Sequence, residues 1–454
     1  MKNCRKILNI AILCLIIVIM SGCAKEEFLA PITHPDKPVS VSLEVPGFDI
    51  PVTRSIANEK GEAVIETVDI LIFNEDGSPG QHQKITKNNI TQSEVAPTYK
   101  AGFKVLLNEN KDARTVVLVA NAPNETDEAF ENVNSKKDFL TKLQFKTLGG
   151  SYKWKTDEDD YTPIPMYGEI AVNGITGGMS LPVSTLKRML ARIDIQNEVE
   201  GSIFKLEEIY LVNYNTAGYI APAWNVSTGI ILQDSDTDYP YNSNKNPMIP
   251  TSPGKQPGDI QNAIKYNYIQ ENSVGDLMEG EIYTYEAVKG IGKENEDAQK
   301  TVCLILKGSY EGKANNFYRI DFTKKDENAK PGEVEYMSLY RNHKYIVTIV
   351  EAKGKGYSSF DDALKSKTVL SNLKTSIDVK DLGGYNNLVY NGQYFMGSVN
   401  ENIEVVWGLN KKWNEPIVSN YEGSWTAEIL DHPTWLKFAG GAITCSGTEI
   451  STKG

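Results

Sequence analysis

Cys23 is the residue whose surroundings point most directly to a chemical reaction. It follows an apolar run, Ile10–Met20, and the two small residues Ser21 and Gly22. A helix that spans a membrane needs about 20 apolar residues, so this shorter run is typical of a signal-peptide core. The pattern is a lipobox, in which a peptidase cleaves between Gly22 and Cys23 once the thiol carries a diacylglycerol. We predict a signal peptide over residues 1–22 and a lipid on Cys23; the alternative is an ordinary signal peptide with an incidental cysteine.

The chain after Cys23 is predicted to be a tether. Residues 23–38 are polar and contain three prolines. The acyl chains on Cys23 would stabilise membrane attachment by about 0.8 kcal/mol for each buried CH₂. The mature chain is therefore expected to stay on a membrane through its first residue.

No other group of residues in the sequence forms a recognisable catalytic or metal site. The four histidines are scattered without metal-ligand spacing. Asp234, Asp236 and Asp238 alternate as at the start of a calcium loop, but Tyr239 stands where that loop needs glycine and Lys245 where it needs glutamate. The better interpretation is a solvated acidic loop. A glycosidase would need two carboxylates brought together by the fold, and the sequence indicates no such pair, so we expect no enzyme activity, metal or cofactor.

Length and charge restrict the class of protein. A chain of 454 residues is long enough for two or three domains with separate cores. Its net charge is −12, and no block of lysine or arginine offsets the acidic excess, which argues against nucleic acid as a partner. Cys303 lies in the apolar run VCLILKG and is interpreted as a small buried side chain. A disulfide between Cys303 and Cys445 is the alternative in an oxidising compartment.

Most of the predicted elements are β-strands. Val39–Val45, VSVSLEV, alternates apolar and polar residues as a strand with one buried face does. The runs Thr67–Phe73 and Arg114–Ala120 are almost wholly apolar, as in central strands. One helix is indicated, with Ser135 as its N-cap and Asp138 three residues later. This pattern predicts an all-β first domain, a β-sandwich with one short helix, over residues 39–186.

The second domain is predicted over residues 187–366. An extended segment around Leu186 would close the first sandwich and open the second, and residues 234–275 are rich in turn-forming residues and predict a long surface loop. The strands predicted for this domain are Leu206–Tyr214, Gly280–Val288, Lys300–Lys307, Asn316–Phe322 and His343–Val350.

Residues 367–454 have a different composition. Trp407, Trp413, Trp425 and Trp435 fall close together there, among the short predicted strands NIEVVWGL, SWTAEIL and WLKFAGG. We expect a small extra β module, without an evident closing strand before Gly454 and so either incomplete or finished by another chain. Its tryptophans are interpreted as core residues, with stacking on a glycan as the alternative.

Several motifs in order give the chain a family resemblance. Together with the lipobox, they make residues 39 to about 357 resemble the fimbrillin family of Bacteroidetes pili, the FimA and Mfa group. The motifs are TVDILIFNEDG (Thr67–Gly77), RTVVLVANAP (Arg114–Pro123), MYGE (Met166–Glu169), LKRMLARIDI (Leu186–Ile195) and LYRNHKYIVTI (Leu339–Ile349).

The resemblance implies two tandem transthyretin-like β-sandwiches and export as a lipoprotein of the cell outer membrane. Lys25–Glu27 resembles the export signal of surface lipoproteins of these bacteria, with a solvated charged tether as the alternative. The resemblance also implies cleavage by an arginine-specific protease. The cut releases the first strand, and a strand donated by another fimbrial subunit then fills the groove that the first strand leaves in the sandwich. Arg54, followed by Ser55, is the basic residue in the loop between the first two strands; Lys60 is the weaker candidate, and an ordinary loop arginine is the alternative.

Two functional hypotheses follow. The first is a subunit of a fimbrium, in the tip, accessory or anchor position more than in the shaft, because the chain continues well past the last family motif. It would assemble by donor-strand complementation and mediate cell adhesion. The second is a surface-exposed lipoprotein that does not polymerise and binds a glycan or a host protein through its C-terminal module.

Overall fold

The computed structural model describes most of the chain between residues 37 and 381. The lipobox, with Gly22 and Cys23, and the predicted cleavage position, Arg54 with Ser55, lie outside the described residues. None of the described helices has the length and apolar composition that a membrane crossing requires. The described residues are 37–46, 60–93, 98–147, 153–155, 160–232, 238–241, 245–256, 258–268, 276–289, 300–324, 335–366, 372–381 and the strand segments within 387–453.

The first sandwich consists of two sheets with one shared apolar core. Their strand orders are β4-β5-β1-β9 and β10-β8-β6-β2-β3. The elements are β1 (Val39–Pro46), α1 (Lys60–Ala63), β2 (Thr67–Asn74), β3 (Pro79–Thr86), a 3₁₀ turn (Lys87–Asn89), β4 (Thr91–Ser93), β5 (Thr98–Val105), β6 (Arg114–Ala120), α2 (Pro123–Phe130), α3 (Lys136–Lys142), β7 (Gln144–Lys146), β8 (Met166–Val172), β9 (Ser184–Thr185) and β10 (Lys187–Arg188).

β2 and β6 are almost wholly apolar because both of their faces are covered. On β2, Ile70 faces the core between the sheets, whereas Leu71 and Phe73 face the opposite side, where α3 packs through Phe139 and Leu140. A strand buried on both faces loses the alternation that marks a strand with one wet face. This arrangement accounts for the composition of the two central strands.

The predicted helix is confirmed. The Ser135 hydroxyl accepts a hydrogen bond from the Asp138 backbone N–H at 3.2 Å, which satisfies one of the free donors at the start of α3. A second helix, α2, precedes it in the chain. Sequence reasoning missed α1, a single turn directly before β2.

The second sandwich also has two sheets around one core. Their strand orders are β15-β11-β20-β21 and β14-β12-β16-β17, with β13 paired to β7 and β18 to β19. The elements are β11 (Leu190–Asn197), β12 (Phe204–Val212), β13 (Ala217–Tyr219), β14 (Ile264–Asn267), β15 (Asp276–Tyr285), β16 (Cys303–Tyr310), β17 (Lys313–Asp321), β18 (Thr323–Lys324), β19 (Glu335–Tyr336), β20 (His343–Ala352), α4 (Phe360–Lys365) and β21 (Leu373–Asp381).

Two strands of the four-stranded sheets of this sandwich lie where the sequence did not predict them. β14 falls inside the expected surface loop 234–275, because Ile264 and Tyr266 are buried in the second core. β21 lies beyond residue 366, where we expected the domain to end, and pairs with β20 along its whole length. The rest of the domain division stays a prediction.

Cys303 is a free thiol in the interior of the second sandwich. Burial raises the pKa of this thiol to about 12, against the opposing charge of Arg319. Because the thiolate is the reactive form, this side chain is chemically inert and acts as a small apolar residue, as the sequence indicated.

The C-terminal segment contributes further short strands. They form one sheet of order β22-β23-β24-β27 and a separate pair, β25-β26. SWTAEIL is confirmed in part, since it contains β25, whereas NIEVVWGL and WLKFAGG lie outside the described residues. No closing strand was evident in the sequence, yet β27 pairs with β24. The strands are β22 (Asn387–Tyr390), β23 (Phe395–Ser398), β24 (Pro416–Ser419), β25 (Trp425–Glu428), β26 (Thr444–Gly447) and β27 (Ser451–Lys453).

Candidate functional site

The N-terminal strand β1 lies in the interior of its sheet, with a neighbour on each side. It pairs antiparallel with β5 along its full length, from Val39 opposite Val105 to Pro46 opposite Thr98. Its other side runs parallel to β9, where Leu43 lies opposite Ser184. β1 therefore separates two parts of the chain that would otherwise face each other across a gap.

Backbone hydrogen bonds tie β1 to the segment that contains β9. The Ser40 N–H donates to the Met179 carbonyl at 2.9 Å, and the Ser40 carbonyl accepts from the Leu181 N–H at 2.9 Å. The Glu44 carbonyl accepts from the Leu186 N–H at 2.8 Å. If β1 left, these groups and those of β5 would lose their partners, and buried backbone groups without partners are costly.

The four inward side chains of β1 fill the core of the first sandwich. Val39, Val41, Leu43 and Val45 are each at most 1% exposed, whereas Ser42 between them faces solvent. Burying an aliphatic side chain stabilises a fold by about 1.5–3 kcal/mol, so the four together contribute on the order of 10 kcal/mol. That figure is comparable with the whole stability of an ordinary domain, about 5–15 kcal/mol. Loss of β1 would therefore remove stabilisation comparable with that of the whole domain.

The site left by β1 would be an apolar groove shaped for an extended strand. One wall is β5, whose Ala101, Phe103 and Val105 lie directly opposite Leu43, Val41 and Val39. The other wall is the Met179–Leu186 segment, and the floor is the sheet that contains β2 and β6. An incoming strand with alternate apolar residues would regain both the backbone hydrogen bonds and the buried side chains.

A glycine allows the β9 wall to approach β8 closely. Gly168, in the MYGE motif, lies so near Ser184 Oγ that a Cβ atom there would be only 2.5 Å away, and 3.1 Å from the Thr185 carbonyl oxygen. Only a residue without a side chain fits this contact. The glycine thus lets β8 and β9 meet beside the strand that fills the groove.

Elsewhere in the first sandwich, Asp69, His82 and Asp127 come together, which sequence reasoning did not predict. His82 Nε2 lies 2.8 Å from Asp69 Oδ1, and the Lys84 ammonium contacts Asp127. Burial raises the pKa of Asp69, against the hydrogen bond from His82. The positive charge beside these two carboxylates comes from the Lys84 ammonium. The feature of the sequence that could have indicated this cluster is Asp69, the single acidic residue within the apolar run TVDILIF.

The structure describes only part of the acidic loop singled out in the sequence. Asp234 and Asp236 lie outside the described residues, and the Asp238 carboxylate contacts the Lys245 ammonium. Lys245 is the residue that stands where a calcium loop would need its glutamate.

Comparison with known families bears on the domain that contains the groove. Residues 39–185 match the family described as the major fimbrial subunit protein (FimA). The FimA match begins with the first residue of β1 and ends with the last residue of β9, so it contains the strand and both walls of the groove. The resemblance seen in the sequence is confirmed over these residues, which make up less than half of the chain.

Solved structures from related bacteria are similar to a larger part of the chain. The tip fimbrial protein Mfa3 from Porphyromonas gingivalis, with a C-terminal truncation, is 17% identical with a TM-score of 0.40, covering 74% of this chain and 99% of that one. A fimbrial assembly protein from Parabacteroides distasonis is 13% identical with a TM-score of 0.39, covering 75% and 99%. At these levels neither likeness assigns a function. A comparison with curated proteins found no match.

Proposed function

We propose that the chain is a fimbrial subunit that assembles by exchange of its N-terminal strand for a strand donated by a neighbouring subunit. The observation that carries the proposal is the position of β1, which is interior to its sheet and has its four inward side chains buried. The match of residues 39–185 to the FimA family supports the same class of protein.

The energetics of β1 explain why assembly would follow its removal. An empty groove exposes unpaired backbone groups and an apolar core, and both demand a new strand. A donated strand would restore the backbone hydrogen bonds and the buried side chains, so polymerisation would complete the fold of the first sandwich. The burial of β1 also means that an uncut chain does not offer the groove to a neighbour.

Arg54 and Ser55 are proposed as the position of the cut. They lie in the connection between Pro46, the last residue of β1, and Lys60, the first residue of α1. A cut anywhere in this connection separates β1 from the rest of the sandwich, because β1 has no other covalent link to it. The remaining contacts of β1 are then noncovalent and exchangeable.

Export as an outer-membrane lipoprotein is proposed as the preceding stage. The signal peptide would be removed between Gly22 and Cys23, and the lipid on Cys23 would hold the chain at the cell surface until the cut. In a chain that is cut, β1 and the lipid leave together, so release from the membrane and opening of the groove are one event. In an uncut chain the lipid remains, as an anchor subunit would need.

A tip, accessory or anchor position is proposed in preference to the shaft. The last strand of the second sandwich, β21, already pairs with β20 in its own chain. The strands β22 to β27 follow it and form sheets of their own. These strands would form an additional module that a shaft subunit does not need. We propose that this module mediates adhesion by binding a glycan or a host protein.

The test is the N-terminal sequence of the protein recovered from the cell surface, in wild type and in Arg54→Gln. We expect wild type to begin at Ser55, and the variant to keep its lipid-bearing Cys23 and to be absent from fimbriae. Lys60→Gln is the matched control and should behave as wild type. A blocked Cys23 on every wild-type molecule would refute strand exchange and favour a fixed anchor subunit or a surface lipoprotein that does not polymerise.

A further inference from the structure

The turn α1, the first described element after β1, is held by buried polar contacts with β10 of the first sandwich and with β11 and β15 of the second. Glu62 on α1 is 1% exposed. Its carboxylate accepts hydrogen bonds from Arg192 Nη1 at 3.2 and 3.4 Å and from the Tyr283 hydroxyl. Its backbone carbonyl accepts from Arg188 Nε at 2.8 Å. One residue of a four-residue turn thus contacts β10, β11 and β15.

The arginine that binds Glu62 is itself fixed by further acids. Arg192 Nε and Nη2 donate to the two oxygens of Asp194 at 2.7 and 3.0 Å. Arg192 Nη2 also lies 3.3 Å from Glu279, and Lys344 Nζ lies 3.7 Å from Asp194. Because the guanidinium is held in one orientation on β11, the Glu62 carboxylate has a rigid partner.

Burial makes these contacts sensitive to the loss of either member. Although burial lowers the pKa of Arg192, the charges of Glu62 and Asp194 raise it well above its usual value, so the guanidinium stays charged. Burial raises the pKa of Glu62, against the opposing charges of Arg192 and Arg188. Removing one partner of a buried pair leaves a charge that water cannot reach, which costs far more than breaking a surface pair.

The backbone at and after Glu62 is fixed within the first sandwich. The Glu62 carbonyl binds Arg188 on β10, and Ala63 packs in the core of the first sandwich. Asn121 Nδ2 donates to the Val64 carbonyl at 2.8 Å, and Asn121 Oδ1 accepts from the Glu66 N–H at 2.9 Å. The Glu62 carboxylate is the group that links α1 to the second sandwich, through Arg192 and Tyr283.

We propose that Glu62 is a positioning residue that keeps α1 fixed to the second sandwich after the chain is cut in the connection 47–59. The turn α1 then stays in place while β1 leaves, and the two sandwiches keep one relative orientation. This goes beyond strand exchange, because the contacts of Glu62 do not involve the groove or the strand that fills it.

The test measures cleavage after Lys60 by a lysine-specific protease, in purified full-length protein already cut after Arg54. A protease needs an unfolded segment, so the rate reports how often α1 opens. We expect wild type to resist and Glu62→Gln to be cleaved at least about tenfold faster. Glu66→Gln is the matched control; its partner Lys87 is at the surface, and its rate should stay within about twofold of wild type.

A milder variant keeps the proposal testable if Glu62→Gln does not fold. Tyr283→Phe removes one hydrogen bond to Glu62 and leaves every charge in place, so its cleavage should be faster by about threefold to tenfold. Equal rates for wild type, Tyr283→Phe and Glu62→Gln would overturn the proposal, as would rapid cleavage of wild type once Arg54 is cut. Neither result depends on polymerisation, so failure of this inference and failure of strand exchange are distinguishable.

Discussion

β1 and β21 each add a strand to a sandwich sheet, but they occupy opposite kinds of position. β1 lies between β5 and β9, and its four inward side chains are fully buried. Among the described strands, β21 lies at the end of its sheet and pairs only with β20; Leu373 is buried, but Ile377 and Val379 are only partly so. Its other face carries exposed lysine, serine and aspartate.

The difference bears on the proposed strand exchange, which needs a strand whose loss opens a groove. Loss of an interior strand opens a groove with two walls, which only another strand can fill. Loss of an edge strand opens no groove, because the neighbouring strand simply becomes the new edge of the sheet. The polar residues on β21 are also of the kind that discourage edge-to-edge pairing. The interior position and burial of β1 thus support the proposed exchange of this strand, and β21 lacks both features.

The largest difference should appear when one apolar side chain is truncated in each strand. Leu43→Ala should lower the free energy of unfolding of the first sandwich by about 3–5 kcal/mol, because it leaves a cavity in a closed core. Ile377→Ala should cost about 1 kcal/mol, because the site is partly open to water. Scanning calorimetry of both variants measures this, and equal losses would contradict the distinction between the strands.

A smaller effect is expected from filling the space at the β9 wall. Gly168→Ala should cost about 1–3 kcal/mol and weaken the hold on β1, since Ser184 and Thr185 would have to move. The matched control is Gly102→Ala on β5, where a Cβ atom would meet the Val41 carbonyl oxygen at an ordinary 3.5 Å. Hydrogen exchange of the β1 amides in the two variants measures the effect. Similar exchange in both would mean that β9 does not hold β1.

The smallest effect should come from lowering the pH, which should reduce the stability of the second sandwich. Glu208 on β12 binds Lys265 at the neighbouring strand and Lys307 at 3.0 Å. Although burial opposes it, hydrogen bonds from Lys265, Tyr210 and Lys307 lower the pKa of Glu208 from 4.5 to about 2. The folded state therefore holds its charge more strongly than the unfolded state does. This contribution to stability is present above pH 4.5 and is lost as the pH falls toward 2.

The corresponding measurement is the midpoint of thermal unfolding between pH 6 and pH 2 in wild type and Glu208→Gln. The variant should lose less stability than wild type over the interval from pH 4.5 to 2, by a few degrees at most. β1 should remain docked throughout, since buried apolar side chains and backbone hydrogen bonds hold it, and its ion pair between Glu44 and Lys100, at 3.3 Å, is partly exposed and contributes little. An unchanged pH dependence in the variant would show that this ion pair does not stabilise the fold.

Local sequence pattern predicted many of the elements, and the misses have identifiable causes. Arg114–Ala120 was predicted with the same bounds that the strand has, because an apolar run of this length between turn residues has few alternatives. β14 is short and lies within polar sequence, so its pattern could not separate it from a loop. α4 was missed although Ser359 caps it by accepting from the Asp362 N–H at 3.1 Å, the same signal that identified α3.

The sequence by itself determined which residues of β1 face inward, because side chains in a strand alternate with a period of two. It also determined the family resemblance of residues 39–185. Only the tertiary structure decided that β1 is interior to its sheet, since its neighbours β5 and β9 are distant in sequence and pairing between distant strands leaves no local pattern. The same holds for Glu62 and Arg192, which are 130 residues apart. Each would be unremarkable as a surface charge, and only the fold buries them together.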